Sequence, residues 1–192
     1  MILIPLPAEL IFAGRSGLLV RSQRGMSLIE LVIVVAIAAL AVTVTIIYSA
    51  PWVARESMRS AANDVHSFMQ LSKIEAASRN RDTRFVVDTA NGTLEVWDSL
   101  GTDSDGDDVR LHEARLPTTV IFSRPDVGDP VTLDQIGGSK RYEAVFTSDG
   151  LVSDGVGAVF LYGGEKYGSV EIHAAGGTEI KYWSGTGWRA GY

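Results

Sequence analysis

The chain has 192 residues, 46% of them hydrophobic, which is enough for one ordinary domain with appendages; it has no cysteine, so neither a disulfide nor a thiolate site supports the fold. Its net charge of -6 is uneven: residues 1–25 carry Arg15, Arg21 and Arg24 against Glu9, whereas from Phe85 to the end 17 acidic residues stand against 8 basic ones. An acidic surface of this kind repels nucleic acid at long range and argues against a general phosphate-binding role, leaving room only for a local basic patch.

The first thirteen residues, MILIPLPAELIFA, are apolar but too short to span a membrane. They contain Pro5, Pro7 and Glu9, lack a basic n-region and run into charges rather than a small-residue cleavage site, so they read as part of a leader and not as a secretory signal. From Leu31 to Ile47 every residue is apolar or small except Thr43 and Thr45. Counted from Met26 to Ala50 the segment has 25 residues, or about 37 Å of helix at ~1.5 Å per residue, enough for a hydrocarbon core of about 30 Å. A buried core helix is the alternative, but helices of soluble domains seldom stay apolar on all faces for so long. Arg15, Arg21 and Arg24 flank the segment on its N-terminal side, which puts the N-terminus in the cytoplasm and the remaining chain outside.

One acid, Glu30, stands at the start of this apolar run. A carboxylate at the centre of a membrane helix costs about 2.5–3.5 kcal/mol, less near the end, so it is retained mainly where it finds a partner. The positive end of the helix dipole offers part of the compensation. The plain alternative is a stray interfacial acid on a single-pass anchor.

Pro51 follows the run and should kink or briefly interrupt the helix. Beyond it, Met58, Ala61, Ala62, Val65, Phe68 and Met69 recur at three- and four-residue spacings, an apolar stripe that needs a sheet to cover. The polar stretch Arg79 to Arg84 should end this helix. Strand patterns follow: RFVVD and TLEVW around an Asn91-Gly92 turn, then VRLHEAR, TTVIF, EAVFT, GAVFLYG, and SVEIHA joined to EIKYW through Gly176-Gly177. One long helix followed by antiparallel strands argues an α+β fold with the helix packed on a sheet that has one solvated face. The segments are then 1–25, a leader; 26–50, a membrane helix; 51–83, an amphipathic helix; and 84–192, a β-rich domain.

The run RGMSLIELVIVVAIAAL, a glycine, a hydrophobic residue and an acid at the fifth position after the glycine, opens the apolar helix. It resembles the class III signal of type IV pilins and of the pseudopilins of type II secretion, in which a membrane peptidase cuts after the glycine on the cytoplasmic side. The resemblance implies a cut between Gly25 and Met26, an N-methyl group on Met26, and assembly through Glu30. Phe is the usual residue where this chain has Met26. Cleavage would also supply the partner that Glu30 needs, because a free amine at Met26 is a cation at the same depth on a neighbouring helix.

LSKIEAASRNRDTRFVVD, EAVFTSDGLVSDG and VEIHAAGGTEIKYW are similar to the helix end, middle strand and closing hairpin of the GspH/FimT group. That resemblance implies a minor pseudopilin of type II secretion, anchored in the bacterial inner membrane with its C-terminal domain periplasmic. Its implied partners are a prepilin peptidase, other pseudopilins or pilins, and an inner-membrane assembly platform. A FimT-like minor type IV pilin active in pilus assembly or DNA uptake is the alternative, although the C-terminal tail, where Arg189 is the only cation after Lys181, lacks a basic cluster.

No enzymatic constellation is present in the sequence: G-x-S-x-G, P-loop and H-E-x-x-H patterns are missing, and His66, His112 and His173 have no metal-like spacing. Asp103, Asp105 and Asp107 have the alternate spacing of a calcium loop, but its sixth position is Asp108 rather than Gly and its twelfth Ala114 rather than Glu. A solvated loop is therefore the expectation there, and bound calcium the minor alternative, with no other cofactor. Trp183, Trp188 and Tyr192 form an aromatic tail, read as packing of the last strand ahead of a contact surface for other proteins.

Overall fold

The structure, a computed structural model, describes residues 27–100 and 108–191, with the backbone alone at 46–51. The chain divides into two compact units, residues 1–43 and 44–192. One helix, α1 (Leu28–Arg79), supplies the described part of the first unit and the helical layer of the second. It is assigned as helix through Pro51, so the brief interruption expected there does not occur. A proline within a helix removes a single backbone hydrogen bond, and the turns on either side can carry the helix past it.

Within the first unit every described residue is exposed. Leu28–Thr45 is an 18-residue window of mean hydropathy 2.7 with 0% of it buried by the rest of the protein. The hydroxyl of Thr43 donates to the Ala39 carbonyl at 2.8 Å, which leaves no unpaired donor on that polar side chain.

In the second unit α1 is amphipathic. Met58, Ala61, Ala62, Val65, Met69, Ser72 and Ala76 are buried, at helical spacing, with Phe68 packed beside them. The helix ends as its sequence dictates: Asn80 takes φ 51° and Arg81 N–H donates to the Ala76 carbonyl at 3.2 Å, the long bond of a Schellman cap with Asn in the left-handed position.

The strands are β1 (Thr83–Asp88), β2 (Thr93–Asp98), β3 (Val109–Arg115), β4 (Ile121–Phe122), β5 (Asp134–Gln135), β6 (Arg141–Phe146), β7 (Val152–Asp154), β8 (Gly157–Gly163), β9 (Lys166–Ile172), β10 (Thr178–Trp183) and β11 (Trp188–Ala190). They form two antiparallel sheets instead of one. The first has the order β3-β2-β1-β6-β5, with β7 also on β6, and the second the order β11-β10-β9-β8-β4. Of the expected TTVIF strand only Ile121 and Phe122 pair, because Thr118 and Thr119 are taken up by a turn. β5, β7 and β11 have too few residues to show an alternation.

Alternation sorts the faces. Phe85 pairs with Val96 and Ala144, and Val87 with Leu94 and Tyr142, so one face of the first sheet turns its apolar residues to α1. Val159, Leu161, Val170 and Ile172 of the second sheet join the same core. Each such side chain contributes about 1.5–3 kcal/mol of transfer free energy when fully buried. Where α1 hands over to β1, the Thr83 hydroxyl donates to the buried Ser72 carbonyl at 2.7 Å and its oxygen lies 2.9 Å from Ser72 Oγ, so both polar side chains are paired inside the core.

The turns follow the expected chemistry with additions. Asn91-Gly92 does join β1 to β2, with Gly92 at φ 69°, and Asp88 Oδ1 accepts from the Ala90 and Asn91 amides. β8 and β9 are joined by Gly164 and Glu165, both with positive φ, the type I′ hairpin geometry. A Cβ on Gly164 would lie 2.5 Å from the Arg55 nitrogen, so that turn sits directly against α1.

Candidate processing and assembly site

The first turn of α1 is where the chain concentrates its distinctive chemistry. Ser27 precedes the helix and its carbonyl accepts from the Leu31 amide at 3.1 Å, which makes it the N-cap. Glu30 is then the third helical residue, acidic and exposed in the first turn. The order Ser27-Leu28-Ile29-Glu30 is the S-x-x-E pattern of a capping box, and the helix dipole favours an acid at this position. Among the described residues the Glu30 carboxylate makes no hydrogen bond or ion pair. Gly25 and Met26, between which the cut is expected, lie outside the described residues, as does the whole of 1–26.

Ahead of Glu30 in the sequence are arginines, and after it a helix with no polar face. In water so large an exposed apolar surface is unfavourable; lipid or other apolar helices must cover it. The chain therefore has the physical make-up of a membrane-anchored protein.

Residues 20–46 match the family model of the prokaryotic N-terminal methylation motif. That motif covers the start of the chain alone. The matched residues include Glu30 and the whole of the apolar window Leu28–Thr45, and a helix-on-sheet α+β unit follows them. The chain is similar to two crystal structures of the type IV minor pilin FimU from Pseudomonas aeruginosa strain PAO1. One is 16% identical with a TM-score of 0.45, covering 70% of this chain and 94% of that one. The other is 15% identical with a TM-score of 0.43, covering 68% and 96%. No curated protein sequence matches the chain.

The other positions singled out in the sequence are dispersed. Asp103, Asp105 and Asp107 lie outside the described residues; Asp108, which follows them, is ion-paired with Arg84. His66 Nδ1 lies 3.0 Å from the Thr178 hydroxyl, which also accepts from Gln70, and so ties α1 to β10. His112 Nε2 lies 3.1 Å from Glu75 Oε1, and Glu75 Oε2 accepts from Arg79 at 2.7 Å. The Arg79 bond above all, and then that of His112, holds the Glu75 carboxyl below its ordinary range against an opposing effect of burial. His173 is exposed, and the structure brings its ring within 4.8 Å of Glu171 and Glu179 oxygens. Spacing along the chain could not reveal this group, since Glu179 reaches it by strand pairing opposite Glu171. Lys181 bonds both carboxylates, at 2.5 and 3.3 Å, and supplies the cation they need.

In the aromatic tail Trp188 packs on Phe160 and, edge-on, on Trp183, with ring centroids 5.4 Å apart in each case. Arg124 also stacks over the Phe160 ring, at 4.3 Å. Tyr192 lies outside the described residues. On the first sheet, Trp97 has the guanidinium groups of Arg110 and Arg141 each 5.9 Å from its ring, and Glu95 accepts from Arg141 at 2.7 Å and from Trp97 Nε1 at 2.8 Å. These polar groups satisfy one another and hold the sheet's outer face.

Proposed function

We propose that the chain is a minor pseudopilin of the GspH type, a structural subunit of the type II secretion fibre and not a catalyst. The observation that carries this reading is the methylation motif placed on an apolar helix none of whose residues from Leu28 to Thr45 is buried by the rest of the protein. A surface of that kind has two successive environments that suit it, lipid and a bundle of like helices.

In this reading the leader stays in the cytoplasm, the peptidase cuts after Gly25, Met26 is methylated, and the remaining chain faces the periplasm. The new amine at Met26 lies at the depth of Glu30 on an adjacent subunit. A unit charge pair at 4 Å is worth about 4 kcal/mol at an effective dielectric of about 20, enough to favour one register of neighbouring helices over others. The folded β-rich unit then needs no active site, because its task is to pack beside other subunits and to present a surface.

Peptide mass spectrometry of membrane-purified protein tests the processing step: the expected N-terminal peptide begins with N-methyl-Met26. An N-terminus elsewhere overturns it. Deleting the gene separates the two fibre systems. Accumulation of exported proteins in the periplasm supports type II secretion. Loss of surface pili or of DNA uptake with secretion intact would instead assign the chain as a FimT-like minor type IV pilin.

A further inference from the structure

The two ends of the first sheet differ in charge. At the end that holds the β1–β2 turn, a cleft of about 520 Å³ opens between that sheet and β4, within the range of about 300–1,000 Å³ common for binding sites. Arg115 and Lys140 line it, and no carboxylate does. Both cations are exposed, and among the described residues neither is in an ion pair. Asp88, the acid of the turn, is taken up within it: its carboxylate accepts from the Ala90 and Asn91 amides and from the Asn91 side chain. Thr118 adds a hydroxyl to the lining, and Phe122 and Tyr142 add half-buried rings. A cleft lined by one sign of charge focuses its field and draws in the opposite charge, even on a unit that is acidic as a whole.

At the other end of the sheet β2 leads to β3 through GTDSDGD, residues 101–107, in which Asp103, Asp105 and Asp107 have no basic residue among them. Both flanks of this segment are pinned. Leu100 N–H donates to Asp98 Oδ1 at 3.1 Å, and Asp108 pairs with Arg84. Seven residues running out and back reach at most about 14 Å at ~3.5 Å per residue. β3 has seven residues, which sets Val109 and Arg115 about 20 Å apart. The acidic segment therefore falls short of the cleft on its own chain, whereas a second copy has no such limit. A contact of one patch with a different patch is heterologous, and it repeats head to tail instead of closing into a pair.

We propose that the cleft receives the acidic segment 101–107 of a second copy of this chain, with Arg115 and Lys140 holding its carboxylates. Copies would then follow one another along an open assembly, each giving its acidic segment to the next. The contact lies wholly within the β-rich units, so it depends neither on the apolar helix nor on which fibre the chain serves.

The chain has no cysteine, so introduced cysteines report this contact without background. Full chains in detergent micelles carry either Ser104→Cys, in the acidic segment, or Thr118→Cys, at the cleft, and are mixed and mildly oxidised. The expected product is a dimer with one chain of each kind, and a ladder of higher multiples when every chain carries both substitutions. Raising salt should weaken both products. Arg115→Gln with Lys140→Gln should abolish them, as should Asp103→Asn with Asp105→Asn and Asp107→Asn; the two cations are exposed, so thermal unfolding should be unchanged. Chains with Arg115→Glu and Lys140→Glu should link again to chains with Asp103→Lys and Asp105→Lys. Linking that ignores these charge changes overturns the proposal, as does equal linking of Ser104→Cys to Ser184→Cys on the β10–β11 turn. A bond formed within one chain, or chiefly between two Ser104→Cys positions, overturns it as well. Absence of any link between copies overturns the contact alone, because processing and anchoring are read separately from the N-terminal peptide and the membrane fraction.

Discussion

Glu30 has a place in the first helical turn and, in the proposed assembly, a second role, and the two make different demands on its side chain. As third residue after the Ser27 cap it stands where the S-x-x-E pattern carries either glutamate or glutamine. As a counter-ion for a neighbouring Met26 amine it must be charged. Glu30→Leu should leave membrane insertion intact and remove the subunit from the sheared fibre fraction. Glu30→Gln should do the same if charge is what matters, and normal incorporation of the Gln variant would reduce Glu30 to a capping residue. Glu75 offers a residue-scale test in the folded unit. Because Arg79 and His112 depress its folded value below the unfolded one, its contribution is complete above the ordinary carboxylate range and is lost as pH falls through that range. Arg79 is well exposed, so solvent screening keeps the effect small. Thermal unfolding from neutral pH down to about pH 3 should show a shallower acid loss in Glu75→Gln than in the wild type; identical slopes would exclude the pairing.

At the scale of elements, the core rests on a few tight meetings of helix and strand. Met69, wholly buried on α1, should cost about 2–5 kcal/mol on substitution by Ala, measured by denaturant unfolding. Gly155 has φ 76°, and a Cβ there would lie 2.1 Å from the Glu143 carbonyl oxygen. Gly155→Ala should therefore destabilise by about 2–4 kcal/mol, from backbone strain plus overpacking, and a neutral result would mean that β6 and β7 separate freely. The helix stripe from Met58 to Met69 and the paired strands β1, β2, β8, β9 and β10 were legible because each is long enough to show its period. Two things were hidden. The division into two sheets depends on which edges remain unpaired, and β5, β7 and β11 have two or three residues, too few for alternation. Of the site, Glu30 stood out as one acid in an apolar run. The grouping of Glu171, His173 and Glu179 did not, since Glu179 reaches it through strand pairing.

At the scale of the whole molecule, the acidic β-rich unit and the uncovered apolar helix have opposite solvent requirements, and the proposed leader cleavage would couple them to a single event. On that proposal residues 1–25, with Arg15, Arg21 and Arg24, hold one end at the cytoplasmic face before cleavage, where positive residues resist crossing. After it, the end of the helix carries only an amine, whose charge Glu30 of a neighbour can neutralise, so withdrawal from lipid into a bundle no longer drags arginines through the hydrocarbon. Gly25→Val should therefore do more than leave a longer chain. The uncut precursor should remain in the membrane fraction at wild-type abundance, folded, and absent from fibres even when wild-type subunits are co-expressed. Gel mobility and N-terminal mass spectrometry report the cut, and shearing followed by sedimentation reports incorporation. A precursor that is uncut and still enters the fibre would show that release of the arginines is not what gates assembly. A mature-sized product from the Gly25→Val chain would place the cut elsewhere.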